Sequence, residues 1–228
     1  MKQGNTESDP GCRIYPVVLQ VSPQNSKLKG RELVRCLSSL ARNALELSAE
    51  KCQLRLGELK KDDQGVPLPF AGHYWSLTHK PKYVGAVISL QKTGIDIEEV
   101  RSMSDPMFQR VASDREWQLG GGRSDTLFFR FWTAKEAVLK AEGVGMAGLS
   151  NCVVTRLSGR QYLEITYQPK RYLIEHVYFN GHIASVVKNN LESLWTIQHT
   201  HIKRSEESCS ESSLRTTRSS LLPKSESA

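Results

Sequence analysis

The stretch YVGAVISLQKTGIDIEEV, residues 83–100, decides how this chain folds. Residues 83–90 are an almost unbroken apolar and β-branched run, which predicts a buried strand. QKTG, residues 91–94, is polar and ends in glycine, so GIDIEEV is expected to return as the next strand of a hairpin. Alternate side chains of a strand share a face. Ile95, Ile97 and Glu99 then point one way, Asp96 and Glu98 the other. The isoleucines require a core on their side. The two carboxylates lie about 7 Å apart at the Cα level, and like charges held that close in a cleft repel. A hard divalent cation would resolve the conflict, and oxygen donors without histidine or cysteine point to Mg²⁺ or Mn²⁺. Spacing alone favours a plainer alternative, a solvated outer face on an edge strand.

Upstream, RIYPVVLQV (13–21) reads as a strand interrupted by Pro16, which suggests an edge. GRELVRCLSSLARNALEL (30–47) carries apolar residues at helical spacing with one buried stripe. DDQGVP (62–67) is turn chemistry, and YWSLTH (74–79) is a short strand ended by Lys80-Pro81. Downstream, residues 101–122 read as a mobile flap with a helix near 106–118 and a glycine-rich joint. TLFFRFWTAKEAVLKAEG (126–143) is a strong helix with Gly143 as its C-cap. YLEITY, YLIEHVYF and HIASVVK (162–188) alternate like antiparallel strands.

On the 126–143 helix, Glu136 and Lys140 stand at i and i+4, an orientation that stabilises any helix by about 0.2–0.5 kcal/mol and needs no function. Trp132, Thr133 and Lys135 crowd the same short segment. Here the two stretches together resemble the 4′-phosphopantetheinyl transferase superfamily, whose pattern is (I/V)G(I/V)D(I/V)E followed by (F/W)xxKE(A/S)xxK. GIDIE (94–98) and WTAKEAVLK (132–140) match it in order, and WSLTHKPKYVGAVIS (75–89) is similar to the segment that precedes the first motif. The resemblance covers about residues 30–188.

The resemblance implies an α+β fold. The length is similar to that of the larger, pseudo-dimeric subfamily, in which two related α/β halves lie in one chain, antiparallel sheets packed with helices. The halves are expected at 11–92 and 93–190, with the polar segment 203–228 as a disordered tail. The implied activity moves the phosphopantetheine arm of coenzyme A, as co-substrate, onto a serine of an acidic acyl or peptidyl carrier protein and releases 3′,5′-ADP. Asp96, Glu98 and Glu136 match the family's Mg²⁺ ligands (Mn²⁺ being the other candidate). Glu136 also matches its proposed base, and Lys140 a catalytic lysine on the pyrophosphate. His79 matches the histidine on the 3′-phosphate of coenzyme A. Thr78, Arg31 and Lys135 complete the expected coenzyme A contacts, Lys135 with the alternative of pairing to Glu136. Two positions depart from the pattern. Val66 stands where a basic residue is usual, leaving Lys60, Lys61 or Lys80 to compensate, and Lys80 stands where the family has serine or a small residue. Met103, Met107 and Phe108 in the flap are either an apolar contact for the carrier or packing of a local helix.

The chain has 228 residues, enough for one large domain or two small ones. The N-terminus lacks an apolar signal core, there is no eighteen-residue apolar run, and the five cysteines are scattered. A monomer in a reducing cytoplasm, without membrane or nucleic-acid partners, is the expectation. The net charge of +7 favours anionic partners. Two rivals follow: a relative that binds coenzyme A without transferring it, and a nucleic-acid-binding protein suggested by the pI of 9.2. The second lacks a recognisable binding motif.

Overall fold

A computed structural model describes residues 13–199; the expected tail at 203–228, and residues 11 and 12 of the first half, lie outside the described residues. The strands are β1 (Arg13–Ile14), β2 (Val17–Gln20), β3 (Tyr74–His79), β4 (Tyr83–Ser89), β5 (Ile95–Glu99), β6 (Cys152–Ser158), β7 (Tyr162–Tyr167), β8 (Lys170–Phe179), β9 (His182–Val187), β10 (Glu192–Ser193) and β11 (Thr196–Gln198). The helices are α1 (Gly30–Lys51), α2 (Asp105–Val111), α3 (Asp114–Leu119) and α4 (Asp125–Glu142). Together they make the expected α+β fold. One sheet runs β11-β2-β4-β3, a second β5-β9-β8-β7-β6, and β1 pairs with β10 in a short ribbon.

The apolar stripe of α1 (Leu37, Ala41, Ala44, Leu45, Ala49) buries against the first sheet through Val17, Leu19, Val84, Ala86 and Ile88. The α4 helix packs on the second sheet, and Gly143 ends it in the left-handed conformation, φ 72°, as a C-cap glycine should. Between the sheets lie Ile95 and Ile97, buried against Val87 and Val18 respectively. A Cβ on Gly85 would stand 2.8 Å from Ile97 Cδ1, so this glycine lets the two sheets meet closely.

Several expectations are corrected. GIDIEEV does not form a hairpin with the strand before it: β5 pairs antiparallel with β9, across the chain. Its glycine marks a close approach rather than a turn, since a Cβ on Gly94 would lie 1.9 Å from the carbonyl oxygen of Ala137 in α4. Pro16 does not mark an edge. It separates β1 from β2, and β2 is interior, flanked by β4 and by parallel β11. The flap is two docked helices. Phe108 is buried, its ring centroid 5.4 Å from that of Trp117 and 5.2 Å from that of Phe128, so packing is its role, with Met103 and Met107 set partly buried against the same core. β6 and the returning strands β10 and β11 were not anticipated.

Candidate active site

β3 is one edge of the first sheet and β5 one edge of the second, and the two edges meet side by side. Side chains bridge them. Ser76 Oγ accepts from the Ile95 amide at 3.2 Å, the Thr78 hydroxyl donates to Asp96 Oδ1 at 2.9 Å, and the Lys80 ammonium donates to Glu98 Oε1 at 2.7 Å. The matched two-residue periods of the strands give this spacing. Burial then settles the question left open by the alternation. Asp96 is 0% and Glu98 8% exposed, so their face is not a solvated edge. Helix α4 covers it. Lys140 donates to Asp96 Oδ1 at 2.7 Å and to the Ile95 carbonyl at 3.1 Å, and Trp132 Nε1 donates to Glu98 Oε1 at 3.1 Å. Each carboxylate thus receives one ammonium and one neutral donor.

Glu136 lies one turn before Lys140, 3.9 Å from its ammonium. Burial first, then the Asp96 charge, pushes the Glu136 carboxyl above its ordinary range, and Lys140 and Lys80 only partly offset this. Burial works against the Lys80 ammonium, but Asp96 and Glu98 outweigh it and raise its pKa. Among the described residues, no three histidine, cysteine, aspartate or glutamate side chains stand gathered as a metal cage. Lys140 stands between Asp96 and Glu136, and Lys80 holds Glu98. Asp96 Oδ2, however, is buried without a hydrogen-bond partner. A buried carboxylate oxygen left this way is costly unless something cationic meets it.

Glu136 and Lys140 line a cleft of about 390 Å³ whose other walls include Lys61, Val66, Leu77 and Met146. Beside it a cavity of about 220 Å³ is lined by His79, Arg42, Lys61 and Trp75. Burial, then the positive charges of Lys140, Lys80 and Lys61, holds the His79 imidazole below its usual range. Val66 packs on Gly143 at the cleft wall. Of the three lysines that could make up for its lost charge, Lys61 reaches both cavities, Lys80 is taken by Glu98, and exposed Lys60 pairs with Glu58 at 3.9 Å.

The structure separates the remaining expected contacts. Thr78 is buried and spends its hydroxyl on Asp96, so it orients a carboxylate rather than facing a nucleotide. Arg31 is exposed in the first turn of α1. Arg42 was missed. It stands on the same helix face, since eleven residues make just over three turns, but roughly 16 Å further along, where the cavity is. Lys135 is corrected outright. It is 2% exposed and points away from Glu136 and the cleft, donating to Glu116 Oε1 and the Val111 carbonyl, both at 2.7 Å. Glu116 in turn closes a capping box with Ser113 at the start of α3 and accepts from the Val154 amide. Burial pushes the Glu116 carboxyl up, but the Lys135 ammonium and these amides outweigh it and hold the group below its ordinary value. Lys135 therefore anchors α3 and the C-terminal end of α2 to α4.

Comparison with known proteins adds to this geometry. Residues 92–187 match the model of the 4′-phosphopantetheinyl transferase superfamily. The chain is 32% identical over 123 residues to the 4′-phosphopantetheinyl transferase HetI of a Nostoc species, covering 51% of this chain and 52% of that one. It is 28% identical over 91 residues, 38% of each chain, to the transferase gsp of Aneurinibacillus migulanus. A Haemophilus influenzae protein, provisionally named as such a transferase, is 26% identical over 155 residues, 64% of this chain and 66% of its own. The chain thus spans from about half to just under two thirds of the length of the first two of these relatives by extent of match. Among the described residues, no helix is long and apolar enough to cross a membrane.

Proposed function

We propose that the chain belongs to the 4′-phosphopantetheinyl transferase superfamily, whose model its residues 92–187 match, and that it transfers the 4′-phosphopantetheine group of coenzyme A to a serine of an apo acyl or peptidyl carrier protein and releases 3′,5′-ADP. The observation that carries this reading is the gathering of Asp96, Glu98, Glu136 and Lys140, buried or half-buried, with Glu136 and Lys140 lining a ligand-sized cleft. In the reaction the serine Oγ bonds to the β-phosphorus of coenzyme A, the bond from that phosphorus to the bridging oxygen breaks, and that oxygen leaves with 3′,5′-ADP.

Glu136 takes the serine proton. Its raised pKa makes it a better proton acceptor than an ordinary surface carboxylate. Lys140, fixed by Asp96 and the Ile95 carbonyl, supplies positive charge to the diphosphate. His79, Arg42 and Lys61 together line a cavity suited to the 3′-phosphate. A divalent cation, Mg²⁺ or Mn²⁺, fits the donor set. Asp96 Oδ2 is buried and unpartnered, and Glu98 and Glu136 offer further carboxylate oxygens of the kind such ions prefer. Asp96, Glu98 and Glu136 would hold it, and when bound it would neutralise charge developing on the diphosphate. Carriers that are acidic suit the basic chain.

Incubation of the full chain with coenzyme A, Mg²⁺ and a panel of apo carriers, read by intact mass, tests the reading. Addition of one phosphopantetheine to at least one carrier is expected. Binding of coenzyme A without any mass change across the panel would favour the non-catalytic reading, for which Val66 in the cleft wall is the motivating observation.

A further inference from the structure

The second carboxylate of the site already has a cation. Lys80 Nζ sits 2.7 Å from Glu98 Oε1, the oxygen that also accepts from Trp132. The lysine is held in place by its backbone: its amide donates to the Tyr83 carbonyl at 2.8 Å, closing the tight connection between β3 and β4. That connection fixes the Cα beside Glu98, while the side chain remains 31% exposed and has an outward path. Neighbouring Lys82 is committed elsewhere, to Glu99. Across the seam, Asp96 keeps an unpartnered buried oxygen, Oδ2, although Lys140 and Thr78 both bind its other oxygen. Each carboxylate therefore meets an ammonium at one oxygen, Lys140 at Asp96 and Lys80 at Glu98, and the two differ in that Lys140 is fixed also by the Ile95 carbonyl whereas the only bond of the Lys80 side chain among the described residues is to Glu98.

We propose that Lys80 is a built-in competitor for the divalent cation, occupying Glu98 until the ion displaces it, so that this chain sets its own metal affinity low through one side chain. The inference rests on the metal-assisted reading above. A divalent ion between Asp96 and Glu98 would meet the Lys80 ammonium within a few ångströms, at a site where screening by water is weak, and like charges that close repel strongly. The flexible four-carbon stem of lysine lets the ammonium swing to solvent when the ion enters.

The test is Mn²⁺ binding to the full chain, followed by the paramagnetic resonance signal of the free ion, with no carrier and no turnover required. Lys80→Met and Lys80→Gln remove the charge, Lys80→Arg keeps it, and Lys82→Met removes a neighbouring charge outside the site. The two neutral variants are expected to bind Mn²⁺ more tightly than the natural chain by on the order of tenfold, the ratio carried by about 1.4 kcal/mol. Lys80→Arg and Lys82→Met should stay near the natural affinity, and Asp96→Asn should abolish binding in either background. Equal or weaker binding by both neutral variants overturns the proposal. Tighter binding by Lys82→Met as well would mean general surface charge is responsible, and overturns it too. If no chain binds Mn²⁺ at millimolar concentration, the metal-assisted reading fails and the proposal with it, while a carrier mass shift measured separately would leave the transferase reading standing.

Discussion

Each sheet carries one long helix, yet the two helices live in different solvents. Helix α1 buries a single stripe of small and aliphatic residues and leaves the rest of its surface to water. Helix α4 is buried around most of its circumference, including Arg130, Thr133 and Lys135. A charge on a helix wrapped this way is costly unless it is met, and the charges of α4 find partners, although Arg130 Nε itself is buried without one. Arg130 donates to the carbonyls of Gly159 and Tyr162, Lys135 to Glu116, Lys140 to Asp96, and Glu142 accepts from Lys92, Lys170 and Tyr172. The difference teaches where chemistry can be built. The enclosed helix supplies Glu136 with its raised pKa, whereas the open helix contributes Arg42 to a cavity wall.

Removing the acid–base group should have the largest effect. Glu136→Ala is expected to lower carrier modification by at least about a hundredfold, and Asp96→Asn by a similar factor, with near-native circular dichroism; intact mass over time reads the loss. Unimpaired transfer by Glu136→Ala would break the proposed division of labour between the two helices, and unimpaired transfer by Asp96→Asn would remove β5 from the site.

The next largest effect is on stability. Lys135→Met leaves Glu116 as an uncompensated buried charge and should cost about 3–5 kcal/mol in urea denaturation. Leu45→Ala, in the stripe of α1, should cost about 2–5 kcal/mol by cavity formation. The two can be told apart by adding Glu116→Gln, which should recover part of the first loss and none of the second. The Km for coenzyme A of the folded Lys135→Met protein should be unchanged, since the ammonium faces away from the cleft.

The same ion pair sets an acid limit. Glu116 has a folded-state pKa below its ordinary value of 4.5, so its contribution is fully present above that pH and is lost as the pH falls through the lowered value. Stability measured from neutral pH downward should therefore decline, and Glu116→Gln should flatten that decline. An unchanged acid limb in the variant would mean that other carboxylates dominate.

The smallest effect separates two arginines on one face of α1. Arg42→Ala should raise the Km for coenzyme A by roughly tenfold, the loss of one charge-assisted hydrogen bond. Arg31→Ala should change it by less than about twofold, as surface charges far from a site commonly do. The reverse order would shift the phosphate subsite towards the start of the helix.

How much of this was legible beforehand depends on which physical rule each feature obeys. The alternation at Ile95–Glu98 and the spacing of Glu136 and Lys140 are local periodicities, and both survive in the structure. That Asp96 is buried could not be read, because the cover is α4, a distant segment. QKTG was read as a turn since a glycine there fits two causes, a tight bend or a close neighbour, and only tertiary structure shows that Ala137 is the reason. Lys135 was legible in part. Adjacent helix residues point about 100° apart, so it could not share the direction of Glu136, and Ser113–Glu116 already spelled a capping box whose glutamate was available as partner. Strand β11 beside β2 offered no local signal at all, being a parallel pairing between the two ends of the described chain.

That last pairing has a consequence for how the molecule comes into being. The sheet holding Thr78 and Lys80 has its outermost strand at Thr196–Gln198. During synthesis this half therefore waits, one rim open, until nearly all described residues have left the ribosome. The rim opposite the active seam is closed by the final stitch.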